Sequence, residues 1–177
     1  MSETSLKRDR SEMIRVDQAG EFGATRIYAG QLAVMGDRGP HSAEIRGMAV
    51  QEEGHRAEFD ALMARRGVRP TALQPLWDMA GFALGAGTAL IGPEAAMACT
   101  AAVEEEIDRH YSKQLDTLER DGDDPELAGM IARFRDDERD HREQALNAGA
   151  ERAPGYPLLS AAIRLGCRAA IRLSEKV

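Results

Sequence analysis

Aromatic residues make up only 5% of this chain, its β-branched residues are scattered, and apolar and polar positions nowhere alternate for long. A sheet needs such side chains on a pleated, half-buried surface, so a β-rich fold is excluded. Cysteine is almost missing: Cys99 and Cys167 are the only two, each in small or apolar surroundings. That excludes a disulfide-stapled scaffold and a rubredoxin-type iron centre, and it predicts reduced core thiols. No uninterrupted apolar run reaches the ~20 residues needed to cross a bilayer. Residues 79–93 are uncharged but broken by Gly81, Gly85, Gly87 and Gly92-Pro93, which suits a core helix or one lying on a membrane. Clustered basic residues are absent until the C-terminus, and the net charge of −7 excludes a broad nucleic-acid surface. No strand-turn-helix glycine fingerprint for a flavin or nicotinamide occurs. Residues 1–10 mix acids with bases and hold no apolar segment. They read as a flexible start with no secretory or transit signal, so the expected location is the cytoplasm.

What the chain does have is helical punctuation. Gly36-Asp-Arg-Gly-Pro40, Gly67-Val-Arg-Pro70, Gly92-Pro93, Asp121-Gly-Asp-Asp-Pro125 and Ala153-Pro-Gly-Tyr-Pro157 each combine helix-ending residues with a proline suited to start the next helix. They predict helices near 11–35, 41–66, 74–91, 94–119, 125–149 and 157–175, in one all-α domain over residues 1–177.

One short arrangement occurs twice. Glu21 precedes Glu52-x-x-His55, and Glu104 precedes Glu138-x-x-His141, with about thirty residues between the lone acid and the pair each time. Residues three apart share a helix face, so each pair can aim a carboxylate and an imidazole at one ion. A single Glu-x-x-His can arise by chance; two, each with a partner acid, are much harder to dismiss. The helical period sets every one of these residues in an apolar stripe: Ile14, Glu21, Tyr28; Met48, Glu52, His55, Phe59; Met97, Glu104, Tyr111; Ile131, Phe134, Glu138, His141. It also separates neighbours. Glu53 shares a face with Arg56 and Asp60, and Glu105 with Asp108 and Arg109, so Glu52 and Glu104 are the better ligands.

A carboxylate among Leu, Met and Phe must be protonated, paired or bound to a cation. Four glutamates and two histidines form a hard, oxygen-rich donor set suited to two iron or manganese ions rather than zinc. One Glu from each of two helices with Glu-x-x-His from two others is the ligand pattern of a ferritin-like four-helix bundle. Here such a bundle would carry two additional amphipathic or apolar helices.

Longer stretches carry a more specific likeness. Arg15-Val-Asp-Gln-Ala-Gly-Glu-Phe-Gly-Ala24, Arg26-Ile-Tyr-Ala-Gly-Gln31, Pro75-Leu-Trp77, Gly81-Phe-Ala-Leu-Gly-Ala-Gly-Thr-Ala-Leu90, Ala96-Met-Ala-Cys-Thr100 and Gly166-Cys-Arg168 closely resemble the demethoxyubiquinone hydroxylase family of ubiquinone biosynthesis. The resemblance runs from about Ile14 to the end. It implies a di-iron monooxygenase that uses O2 to hydroxylate the ring of a polyprenyl demethoxyubiquinol, with two irons per chain on Glu21, Glu52, His55, Glu104, Glu138 and His141. Gln18 and Arg109 depart from some members, which carry histidine there; Gln18 lies outside the ligand set. Tyr28 and Tyr111 fall on the metal-facing stripes and His110 lies beside one. These three are read either as substrate or relay residues or as core residues with satisfied polar groups.

The last predicted helix alternates a wide apolar face with Ser160, Arg164, Arg168 and Arg172, four residues apart. Such a helix suits an anionic lipid surface or an extra bundle position with a basic edge. With the apolar helix near 74–91, the resemblance favours a peripheral protein on the cytoplasmic face of the cell membrane that draws quinol from the bilayer. Electrons would come from an external donor, and a lipid-presenting partner or a second copy of the chain would be its protein partners. The alternative is a rubrerythrin-like peroxidase or a ferritin-like iron-storage protein. Neither accounts for the segment from Trp77 to Ile91 or for the arginine-edged last helix.

Overall fold

A computed structural model of the chain describes residues Glu3–Lys176, and among these it is all-helical. The order is α1 (Glu3–Met35), α2 (Ser42–Arg66), α3 (Gln74–Ile91), α4 (Pro93–Asp121), α5 (Pro125–Asn147), a 3-10 turn at Ala150–Arg152, and α6 (Tyr156–Ser174). The expected all-α class with four long and two further helices is what is found. The helices also end where the sequence punctuates. Gly67 and Gly122 close α2 and α4 in the left-handed region (φ 67 and 65), and their N–H groups bond back to Met63 and Leu118. Pro93 and Pro125 occupy first-turn positions, where a missing N–H costs nothing, and Asp124 caps α5 by accepting from the Leu127 N–H at 3.1 Å.

Three boundaries differ from expectation by two residues or more, among them the end of α4, which runs to Asp121 rather than 119. α1 begins at Glu3 rather than near residue 11; no proline or glycine interrupts the chain before Gly20, so the polar start simply continues the helix. Of the ten residues expected to be flexible, the first two lie outside the described residues. α5 stops at Asn147, two residues short of the expected 149, because Ala148 and Gly149 (φ 96) turn the chain ahead of the 3-10 turn.

The described chain divides into two compact units, one from the N-terminus to Leu90 together with residues from Ala169 on, the other Ile91–Arg168. In the first, α1 packs on α2; Ile14, Ile45, Phe59 and Leu62 are fully buried there. In the second, α4 packs on α5 around Met97, Leu127, Ile131 and Phe134. These are the two helix pairs from which a ferritin-like four-helix bundle is made. Cys99 is a free thiol in the core, as expected; Cys167 is also free but only half-buried on α6. Among the described residues, no helix is long and apolar enough to cross a membrane.

Within the first unit α3 approaches α1 backbone to backbone. A Cβ on Gly85 would lie 1.9 Å from the Ile27 carbonyl oxygen, and one on Gly30 would lie 2.2 Å from that of Phe82. Only glycine permits this approach at these positions, and Arg26 adds a 2.5 Å ion pair to Asp78 on α3. The contact accounts for Gly81 and Gly85, two of the glycines that interrupt the apolar run. Gly87, in contrast, has open space where a Cβ would stand, with no neighbouring atom within 4 Å. Gly85→Ala is therefore expected to lower stability by about 1–3 kcal/mol through overpacking, whereas Gly87→Ala should be neutral or stabilise by up to about 1 kcal/mol. Thermal denaturation of the two variants checks the pair, and equal melting temperatures would contradict the close approach.

Candidate metal centre

Each unit gathers one half of the repeated ligand set. In the first, Glu21 comes from α1 and Glu52 and His55 from successive turns of α2. Glu21 and Glu52 have no exposed surface and His55 is 4% exposed. His55 Nδ1 lies 3.4 Å from Glu21 Oε2 and 3.8 Å from Glu52 Oε2. One donor atom from each of the three lies within 4.8 Å of the others. The whole predicted stripe of α2, Met48, Glu52, His55, Phe59 and Leu62, is buried, so packing fixes the helix rotation that aims the pair.

In the second unit Glu104 comes from α4, and Glu138 and His141 from α5. All three are buried, and His141 Nδ1 lies 3.3 Å from Glu138 Oε2. Here too, one donor atom from each lies within 4.8 Å of the others. Neighbouring acids go elsewhere. Glu53 is exposed and pairs with Arg56. Glu105 is half-buried and bonds Arg109 at 3.1 Å and Arg164 at 3.2 Å.

A trio of two carboxylates and one imidazole, buried and converging within a few ångströms, fits a divalent first-row cation. It supplies hard oxygen donors, a nitrogen donor and two negative charges. The other sequence candidates lie close by in the chain. Tyr28 is buried, with its hydroxyl 3.9 Å from Met48 Sδ. Tyr111 is buried; His110 is half-buried, with Nε2 2.8 Å from Gln114 Nε2 and its ring 6.2 Å from that of Tyr111. Gln18 donates to Asp60 at 2.9 Å.

Sequence reasoning missed Glu106. This carboxylate is buried, with 3% exposure, on a different side of α4 from Glu104, and it receives Arg168 Nε at 2.9 Å and Nη2 at 2.7 Å, with Arg109 Nη1 at 2.7 Å. Burial raises its pKa, but the Arg168 hydrogen bonds and the nearby Arg109 charge outweigh that and leave it lowered. Arg164 and Arg168, expected at a lipid-facing edge, are thus engaged with Glu105 and Glu106. No signal local to α4 could have found this, because the Arg168 that meets Glu106 lies 62 residues away in the sequence.

Without a metal, burial and then the Glu52 carboxylate push the Glu21 carboxyl up to about 8, against relief from a hydrogen bond with His55. A raised folded value means the Glu21 contribution to stability is complete below its ordinary value of 4.5 and is lost as pH rises towards 8. The melting temperature of the metal-free protein should therefore fall between about pH 5 and pH 8 more steeply than that of Glu21→Gln. Identical slopes in the two proteins would contradict the burial cost assigned to Glu21.

Comparison with known proteins agrees over nearly the whole chain. The family model described as "Ubiquinone biosynthesis protein COQ7" matches residues 8–174. The chain is 55% identical over 165 residues to a 3-demethoxyubiquinol 3-hydroxylase of Rhodospirillum rubrum, covering 93% of this chain and 76% of the relative. It is 52% identical over 169 residues to the NADPH-dependent 3-demethoxyubiquinone 3-hydroxylase, mitochondrial, of Homo sapiens, with the same coverage. The mitochondrial 5-demethoxyubiquinone hydroxylase of Saccharomyces cerevisiae is 44% identical over 179 residues, covering 93% of this chain and 77% of the relative. With its buried glutamate and histidine trios in place, the chain belongs to the COQ7 family of ubiquinone biosynthesis proteins.

Proposed function

We propose that this chain, working as one catalytic domain, is a demethoxyubiquinol hydroxylase that uses O2 and two irons to hydroxylate the ring of a polyprenyl demethoxyubiquinol. The observation that carries the reading is the repeated trio, Glu21, Glu52 and His55 in one unit and Glu104, Glu138 and His141 in the other, each buried and convergent. Each trio would hold one iron. The hydroxylase names of the relatives support the reaction and its substrate class. When bound, two irons supply the reducing electrons and the oxygen-activating chemistry that amino-acid side chains lack. The chain's own residues bind the metals, exclude bulk water through the apolar stripes around the trios, and orient the quinol. Tyr28, Tyr111 and His110 are the candidates for quinol contact or proton relay. The mammalian relatives are named NADPH-dependent, which supports a nicotinamide as the external electron source.

The substrate's tail is greasy, and two helices offer apolar surface for reaching it. On α3, Leu76, Met79, Leu90 and Ile91 are exposed at helical spacing; on α6, Leu158 and Leu165 are. We assign these faces to the membrane surface, the protein being peripheral on the cytoplasmic side of the cell membrane. The area-rich leucines, rather than the paired Arg164 and Arg168, supply the affinity, with Arg172 exposed beside them. A lipid-presenting partner or a second copy would use the same apolar surface.

The direct test is anaerobic iron loading followed by one exposure to air with demethoxyubiquinol. Two irons per chain and a product heavier by one oxygen are expected, and Glu52→Ala or Glu138→Ala should abolish product formation. Two irons with unchanged quinol, or consumption of peroxide without quinol, would move the assignment to storage or peroxidase chemistry. For the membrane reading, Met79→Asp combined with Leu165→Asp should cut flotation with anionic vesicles while leaving the fold intact, because both positions are about two-thirds exposed. Flotation equal to that of the unaltered protein would rule out these faces.

A further inference from the structure

Positions two apart on a helix point to nearly opposite sides, so Glu104 and Glu106 report two different faces of α4. Both are buried, at 1% and 3% exposure. Glu104 belongs to the trio with Glu138 and His141 on α5. Glu106 is held by α6, where Arg168 grips both of its oxygens through Nε and Nη2 at 2.9 and 2.7 Å. One turn earlier on α6, Arg164 holds Glu105 at 3.2 Å. Arg109, one turn further along α4, bonds Glu105 and Glu106 at 3.1 and 2.7 Å. A two-point guanidinium grip on a carboxylate has a fixed plane and direction, unlike a lysine's single ammonium. The grip therefore resists rotation of α4 about its own axis. Any such rotation would swing the Glu104 carboxylate as well.

We propose that Glu106 and Arg168 are positioning residues that lock the rotation of α4 and so hold Glu104 in its metal-binding orientation. The inference rests on the metal assignment made above. It gives α6 a second task besides its exposed apolar face: fastening the helix that carries one ligand. It also gives a role to a buried carboxylate of α4 outside the ligand set, and to the guanidinium that meets it from a different helix as well as from Arg109.

The test uses the whole chain and cobalt(II) alone, followed by visible absorption and equilibrium dialysis. The unaltered protein should take up two cobalt ions. Glu106→Gln removes the charge the grip needs; Arg168→Lys keeps the positive charge but loses the two-point geometry. Both should bind one of the two cobalt ions at least tenfold more weakly, with an altered absorption band for that ion only, at temperatures well below the melting transition. General loosening of the protein would weaken both ions alike. If Glu106→Gln does not fold, Arg168→Lys alone decides. Two cobalt ions bound with unchanged affinity and spectrum in the folded variants, or equal weakening of both ions, would overturn the positioning role. Failure of the unaltered protein to bind cobalt would instead overturn the metal assignment, and this inference with it.

Discussion

Removing a glutamate from water is the constraint on which this architecture turns. An ionised carboxylate in an apolar setting is so costly that it must lose its charge, find a partner or bind a cation. The chain places four of them, Glu21, Glu52, Glu104 and Glu138, in stripes whose other members are core residues such as Ile14, Met48, Met97 and Phe134. Each is met by a histidine or by a second carboxylate from a packed neighbouring helix. The helix pairs α1 with α2 and α4 with α5 are thereby both the source of the core and the holders of the donor atoms. A substitution that repacks either pair must disturb the donors as well.

The second unit adds a different solution to the same cost. Glu106 is neutralised by guanidinium groups rather than by a candidate ligand set, with Arg168 reaching from α6 and Arg109 from the next turn of α4. Breaking one side of such a pair is more damaging than the pair is stabilising, because the buried charge is left behind. With Arg164 and Arg168 engaged, the outward face of α6 still presents Leu158, Leu165 and small residues, together with Arg172 and Leu173.

Much of this is legible in the sequence alone. Glycine and proline act through the local backbone, so the ends of α2, α3 and α4 and the start of α6 lie within two residues of where the sequence punctuates them. Helical period acts locally too, and it distinguishes buried Glu52 from exposed Glu53 and buried Glu104 from half-buried Glu105. Glu106 is not legible, because its partner lies 62 residues away and nothing local to α4 announces it. The early start of α1 is hidden for the opposite reason. Its first residues are mostly polar, and a helix without an apolar stripe gives no periodic signal. The close crossing at Gly30 and Gly85 shows in the sequence only as a run of small residues, a pattern that fits several kinds of packing.

The central claim is that each buried trio holds its own metal ion. Crystals of the iron-loaded protein, with anomalous diffraction recorded on both sides of the iron edge, test it most directly. Two iron peaks per chain are expected, one contacted by Glu21, Glu52 and His55 and the other by Glu104, Glu138 and His141. A single peak, or iron bound away from these six residues, would contradict it.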